Sequence, residues 1–220
     1  MTEAVAIVAG ATGLVGQEII RRLAAEPAWR EVRALVRRGL PPELSGQTVV
    51  PIPVDYDRLE PSPPWGAAHH VFCALGTTMR QAGSTEAFRR VDLEYPVALA
   101  RATLVQGARH FLLVTSLGAS SESRVLYSRV KGEVEASISA LGFRSVTIAR
   151  PSLLIGARSE PRLGEQVGRV LGLLAPPRWR PVSAARVAAA LVDAAKRDLP
   201  GIRILENRDL QAAPLTAGTG

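Results

Sequence analysis

The fold of this chain is decided by residues 8–16, which run Val8-Ala9-Gly10-Ala11-Thr12-Gly13-Leu14-Val15-Gly16. The spacing G-x-x-G-x-x-G comes directly after an apolar run and directly before a helical pattern. In that context Gly10 permits a tight turn, Gly13 lets backbone N–H groups approach a pyrophosphate, and Gly16 lets the helix pack closely on the strand. The N-terminus of the helix adds partial positive charge. The stretch therefore predicts a dinucleotide-binding loop over residues 10–16.

Outward from this loop, short apolar and β-branched runs alternate with helical patterns. The alternation is typical of βαβ units around a parallel sheet. An interruption by two prolines predicts that the third strand is an outer one. We therefore expect an α/β fold, a doubly wound and mostly parallel Rossmann sheet of six to seven strands. The predicted strands are 4–9, 31–38, 48–54, 70–75, 110–116, 145–151 and 202–206, and the predicted helices are 14–25, 85–106, 124–140 and 184–197.

The length of 220 residues fits one large domain, which we assign to residues 1–214 with a tail at 215–220. Only residues 156–181 lie outside the alternation. They contain apolar residues at helical spacing, followed by the cluster Pro-Pro-Arg-Trp-Arg-Pro. Two interpretations stay open for this segment: a flap packed over the sheet edge, or a short lid over a substrate mouth.

The amino-acid composition limits the classes of protein to which this chain can belong. Hydrophobic residues make up 47% and charged residues 21%, which is typical of a globular domain. The single cysteine, Cys73, excludes an internal disulfide framework and predicts a small buried side chain in a reducing, cytoplasmic setting. No apolar run reaches about 18 residues, so no membrane span is expected.

The net charge of +7 raises the question of a nucleic-acid partner. The basic residues are nearly all arginine, they are spread along the chain, and no stretch interleaves them with aromatic residues. We therefore predict scattered surface arginines and no nucleic-acid binding. His69 and His70 are predicted loop residues, and no metal site is expected because no cysteine or acidic cluster offers ligand spacing.

Cofactor selectivity is usually decided at the end of the second strand. NAD binders carry an acidic residue there for the ribose 2′-hydroxyl, whereas an arginine accommodates a 2′-phosphate. Here the predicted strand ends in Arg37 and Arg38 with no acid, and two guanidinium groups suit bidentate phosphate contacts. We predict NADP(H) as cofactor, with NAD(H) second.

Further segments carry a resemblance to a known family. Tyr127-Ser128-Arg129-Val130-Lys131 matches a Y-x-x-x-K motif, and Ser116 stands where the family's catalytic serine ends the fifth strand. With the glycine loop, they resemble atypical and extended short-chain dehydrogenase/reductases over nearly the whole chain. The branch that looks closest is that of the Tat-interactive-protein oxidoreductases, on the segments Cys73-Ala74-Leu75-Gly76-Thr77-Thr78, Arg90-Val91-Asp92 and Lys131-Gly132-Glu133-Val134-Glu135.

The resemblance implies site residues beyond the loop. It implies that Asp55 lies near the adenine, that Ala74 and Gly76 line the cofactor, and that Thr77 and Thr78 lie near its ribose or phosphates. There is one departure. Well-characterised members place an asparagine in the proton relay, whereas this chain has a single asparagine, Asn207, near its end. A backbone carbonyl or a water would have to replace it.

The candidate catalytic residues are Ser116, Tyr127 and Lys131. Tyr127 and Lys131 are four residues apart on a predicted helix, hence on one face. A free tyrosine, with a pKa of about 10, is a poor acid near neutrality, and a nearby ammonium lowers that value. The hydroxyl of Ser116 would orient a substrate carbonyl. By the resemblance, Lys131 also bonds the nicotinamide ribose.

Two functions of different classes follow. The first is an NADPH-dependent oxidoreductase acting on a carbonyl or similar small substrate. The alternative is a sensor that holds NADPH and contacts a protein partner without turnover, which the absent asparagine and the short substrate segment favour. The identity of the substrate and the oligomeric state stay open.

Overall fold

A seven-stranded parallel sheet forms the centre of the structure, a computed structural model that describes residues 4–59, 65–155 and 176–214. The strand order is β3-β2-β1-β4-β5-β6-β9, and every neighbouring pair is parallel. The prediction of a mostly parallel sheet with an outer third strand is confirmed. The strands are β1 (Ala4–Ala9), β2 (Trp29–Val36), β3 (Val49–Pro53), β4 (His70–Cys73), β5 (His110–Val114), β6 (Ser145–Arg150) and β9 (Gly201–Glu206).

Helices cover both faces of the sheet, as in a doubly wound domain. One core cluster joins the sheet to α1 and α6, through residues such as Ile19 and Leu191. The other joins it to α4 and α5, through residues such as Leu99 and Val134. No helix among the described residues is long and apolar enough to cross a membrane. The helices are α1 (Leu14–Ala25), α2 (Met79–Ala82), α3 (Thr85–Arg89), α4 (Tyr95–Val105), α5 (Leu126–Ser139), α6 (Ala184–Arg197) and α7 (Asn207–Ala212).

The prediction of one long helix over 85–106 is wrong in one respect. The segment divides into α3, a π-helical turn at Arg90–Glu94, and α4. Pro96 gives the physical reason. A proline has no N–H for a helical bond to the carbonyl four residues back, and its ring clashes with that carbonyl. The carbonyl concerned belongs to Asp92, which lies in the π turn. The turn thus accommodates the proline without ending the helix.

A second, two-stranded sheet begins just beyond the carboxyl end of β6. It pairs β7 (Leu154–Ile155) with β8 (Val182–Ser183), also in parallel. The side chain of Asn207 fixes this region, because it accepts the N–H of Ser152 and donates to the carbonyls of Arg178 and Arg180. Most of the predicted lid (residues 156–175) and the predicted tail (215–220) lie outside the described residues.

Candidate functional site

The glycine loop lies between β1 and α1 and leaves no room for side chains. Gly10 has a φ of 78°, and a β-carbon there would overlap the carbonyl of Ala74. Gly13 is the N-cap of α1, its N–H donates to Gly10 O at 2.9 Å, and it provides no side-chain cap. The first N–H groups of α1 are therefore available to an anion at the open side of the loop. Ala11 and Val15 are buried, so only their backbone can contact a ligand.

The loop after β4 runs beside the glycine loop, since Ala74 N–H donates to Ala9 O at 2.9 Å. Gly76 is exposed, and a β-carbon there would lie 3.6 Å from Lys131 Nζ. Thr77 donates its backbone N–H to Asp92 Oδ2 at 2.8 Å. Thr78 caps α2 by accepting the N–H of Gln81 at 3.2 Å. The cofactor residues predicted in these two loops therefore share one edge of the sheet. At that edge, Gly76 lies next to the predicted catalytic lysine, Lys131.

Arg37 and Arg38 follow β2 directly and are exposed. In the register of the sheet, Leu35 is opposite Ala9, so both arginines come level with the glycine loop. Neither forms an ion pair or hydrogen bond with the described residues. Asp55, which follows β3, is also exposed, and its carboxylate accepts the N–H of Asp57 at 3.0 Å.

Tyr56, the residue after Asp55, belongs to an aromatic pair. Tyr56 stacks on Tyr95 with ring centroids 5.4 Å apart, and Tyr95 donates its hydroxyl to Asp57 Oδ1 at 2.7 Å. Burial raises the pKa of Tyr56, and the charge of Arg37 opposes that shift. Burial and the hydrogen bond to Asp57 raise the pKa of Tyr95 to about 12, again opposed by Arg37. Both tyrosines are thus neutral, and the positive charge of Arg37 acts on both.

Tyr127 and Lys131 lie on one face of α5, as their spacing predicts. Lys131 Nζ is 5.9 Å from the centroid of the Tyr127 ring, and that ring also stacks on Phe88 with centroids 5.6 Å apart. Tyr127 is 37% exposed, whereas Lys131 and Phe88 are buried. The Tyr127 ring therefore contacts both a buried cation and a buried ring, and part of its surface is exposed.

Lys131 pairs with a residue that sequence reasoning missed. Its Nζ lies 2.7 Å from Oδ1 of Asp92, which is 1% exposed and lies in the π turn. Burial alone would lower the pKa of Lys131, but the Asp92 carboxylate and the Tyr127 hydroxyl outweigh it, so the pKa is raised. Two sequence signals pointed to Asp92: an acid in a segment that the family resemblance includes, and Pro96 four residues later.

Ser116 lies just beyond β5, and its Oγ is buried with no hydrogen-bond partner in the described part of the chain. The loop that follows it packs on the start of α5, where Ser120 N–H donates to Ser128 O at 3.0 Å. Ser116 therefore does not bond Tyr127 directly. Its hydroxyl is a donor left without an acceptor, which is what an orienting group for a substrate oxygen requires.

A partly buried network connects the strand and helix that carry these residues. Thr115 donates its hydroxyl to Glu135 Oε1 at 2.6 Å, and Arg150 pairs with Glu135 at 2.5 Å and with Glu206 at 3.1 Å. Thr115 is the neighbour of Ser116, and Glu135 lies one helical turn beyond Lys131. The network therefore links β5, α5, β6 and the end of β9.

At the opposite, amino edge of the sheet lies a cluster of His70, His110 and Asp198. The prediction of His70 as a loop residue is wrong, because it begins β4 and is buried opposite His110. Ligand atoms of the three residues lie within 4.8 Å of one another. However, Trp29 Nε1 donates to His70 Nδ1 at 3.2 Å, which leaves the proton of a neutral His70 on Nε2. With that proton in place, Nε2 of His70 has no lone pair to offer a metal ion. The absence of a metal site stays a prediction.

The comparisons with known proteins agree with this geometry. No protein-family model matches the chain. It is 36% identical to "Protein HTATIP2" of Rattus norvegicus over 172 residues, which cover 77% of this chain and 71% of that protein. It is 31% identical to "Protein FMP52, mitochondrial" of Candida albicans over 206 residues, 87% of this chain and 88% of that protein. The chain belongs to the atypical short-chain dehydrogenase/reductases, a family of NAD(P)-binding oxidoreductases.

A solved structure supports the fold. The 3-oxoacyl-[acyl-carrier protein] reductase of Brucella melitensis, solved in complex with NAD, superimposes with a TM-score of 0.73. It shares 18% sequence identity and covers 96% of this chain and 99% of that one. At this identity the likeness concerns the fold, and the predicted Rossmann architecture is confirmed.

One expectation from the sequence is corrected by the relatives. We expected a cytoplasmic location, but the FMP52 relatives of Candida albicans and three further organisms are named mitochondrial proteins. The expectation rested on the single cysteine. A low cysteine count excludes disulfides, but it does not distinguish one reducing compartment from another.

Proposed function

We propose that this protein is an NADPH-dependent oxidoreductase that reduces the carbonyl group of a small substrate. One observation carries the proposal: a β-carbon on Gly76 would lie 3.6 Å from Lys131 Nζ, and that Nζ lies over the partly exposed ring of Tyr127, 5.9 Å from its centroid. A loop that fits a dinucleotide and a candidate proton donor thereby meet at one edge of the sheet.

The residues present fit a nicotinamide dinucleotide. The tight turn depends on Gly10 and Gly16, whose β-carbons would overlap the carbonyls of Ala74 and Gly10, and the uncapped N-terminus of α1 supplies N–H groups for a pyrophosphate. Arg37 and Arg38 would hold a 2′-phosphate, since both are exposed at the end of β2 and unpaired among the described residues. When bound, the reduced nicotinamide supplies the hydride that adds to the carbonyl carbon.

The side chains of this chain supply the rest. Tyr127 donates its hydroxyl proton to the carbonyl oxygen. The O–H bond of the tyrosine breaks, the O–H bond of the product alcohol forms, and Tyr127 is left as a phenolate. Lys131, charged and buried, stabilises the resulting phenolate. Ser116 donates a hydrogen bond to the same oxygen through its otherwise unpartnered hydroxyl.

The proposal is tested by following NADPH oxidation with a panel of aldehydes, ketones and quinones. We expect turnover with at least one class of compound. Tight binding of NADPH together with no turnover across the whole panel would contradict the proposed reaction and favour the non-catalytic sensor.

A further inference from the structure

We propose that Asp92 is a positioning residue of this site: it holds the ammonium of Lys131 beneath Tyr127 and ties the loop after β4 to α5. The inference rests on the proposed function, because it assigns a task within that reaction. It concerns a residue that is neither a predicted cofactor contact nor a predicted catalytic group.

The contacts of Asp92 carry the inference. Oδ1 lies 2.7 Å from Lys131 Nζ, and Oδ2 accepts the backbone N–H of Thr77 at 2.8 Å. The exposed fractions are 1% for Asp92 and 5% for Lys131. Removing two opposite charges from water is costly unless each is paired. The two charges therefore require each other, and Thr77 satisfies the second carboxylate oxygen.

The π turn explains how one segment positions both groups on α5. Phe88 at the end of α3 stacks on the Tyr127 ring with an interplanar angle of 30°. Asp92, in the turn that follows, reaches Lys131. π-helical turns occur frequently at functional sites, since the inserted residue redirects side chains. Here the turn lets a single segment contact both the proton donor and the cation behind it.

The charges around Lys131 determine the direction in which its pKa should change when Asp92 is replaced. The titratable groups that face it from the packed elements are Asp92 in the π turn, Tyr127 on α5 and Cys73 on β4. Burial raises the pKa of Cys73 to about 12, so the thiol is neutral. Asp92 is thus the anion that opposes the effect of burial on Lys131. In Asp92→Asn the shape and the acceptor for Thr77 remain, but the anion is lost.

The first measurement needs no turnover. The chain has only two lysines, Lys131 and Lys196, so the ¹⁵N NMR signals of their ammonium groups are readily assigned. We expect Asp92→Asn to lower the pKa of Lys131, because the anion that opposes the effect of burial is lost. Lys196, which pairs with Glu26 on the surface at 2.9 Å, should not change. A folded Asp92→Asn protein in which Lys131 titrates as in wild type overturns the inference.

The second measurement is the pH profile of turnover. In Asp92→Asn, kcat should fall about tenfold or more. As the pH is raised, the loss of kcat should begin at a lower pH than in wild type, whereas KM for the carbonyl substrate stays within about twofold. Asp92→Glu restores the charge and should recover part of kcat. The matched control is Glu133→Gln, because Glu133 is an acid on α5 that pairs with Arg89 at 2.8 Å. An equal loss in that control would overturn the inference.

Two further outcomes are decisive. If Asp92→Asn does not fold, the double variant Asp92→Asn/Lys131→Met removes both charges. Recovery of the fold supports the pairing, and failure to recover overturns it. If wild type shows no turnover with any carbonyl compound, the proposed function fails, while the lysine titration still decides what Asp92 does to Lys131.

Discussion

Gly16 lies so close to the carbonyl of Gly10 that a β-carbon on Gly16 would overlap that carbonyl. Gly16→Ala must therefore displace either α1 or the loop. We expect the variant to lose about 1–3 kcal/mol of unfolding free energy and at least tenfold in NADPH affinity. Urea denaturation and cofactor titration measure both effects. Gly46→Ala is the matched control, because a β-carbon on Gly46 would meet no atom within 4 Å, and its effect should be small.

Arg37 and Arg38 should determine the choice between the two nicotinamide cofactors. A hydrogen bond to a charged group contributes roughly 1.5–3 kcal/mol, so Arg37→Ala should weaken NADPH binding by about tenfold or more. NADH binding should hardly change, since it has no 2′-phosphate. Arg203→Ala, at an exposed position on the edge strand β9, provides the control. Equal affinities of wild type for both cofactors would contradict the assignment.

Tyr127→Phe should separate proton donation from binding. The substitution removes the acidic hydroxyl but keeps the ring that stacks on Phe88. Fold and NADPH affinity should be preserved, and turnover should fall by roughly 10²–10⁴. Lys131→Ala should lower turnover and also weaken cofactor binding. A Tyr127→Phe enzyme that retains its turnover would exclude Tyr127 as the proton donor.

Acid should destabilise the protein through protonation of two buried histidines at the amino edge of the sheet, His70 and His110. Burial lowers the pKa values of His70 and His110 from 6.5 to about 4, although Asp198 opposes the shift for both rings. The unfolded chain therefore takes up protons below about pH 6.5 that the folded chain takes up only near pH 4. Stability is fully present above pH 6.5 and falls between these values, by roughly 3 kcal/mol for each ring.

Urea denaturation at a series of pH values between 4 and 7 measures this loss. His110→Asn keeps a polar group near the position of Nδ1 but cannot titrate in this range. It should reduce the dependence on pH by about half relative to wild type. A wild-type stability that stays constant over this range would show that the two rings are solvated in the folded state.

The sequence predicts the parts of this structure that depend on neighbours along the chain. The bounds of β1 and α1 agree with the predictions, because the apolar run and the glycine spacing are local signals. The break at Arg90–Glu94 is signalled in the sequence by Pro96, whose missing N–H falls four residues after Asp92. Asp92 could not be assigned a partner from the sequence, since Lys131 is 39 positions away and is reached only through tertiary packing.

The hydrogen bond from Thr115 to Glu135 has a consequence for engineering new specificities. It joins the strand that leads to Ser116 with the helix that carries Tyr127 and Lys131, and Arg150 locks it from β6. Together with Asp92, this network fixes the positions of the three groups through residues that are not themselves proposed to contact the substrate. If residues 156–181 form a lid, as one of the two interpretations of the sequence has it, exchanging that segment should change which carbonyl compound is accepted and leave these positions unaltered.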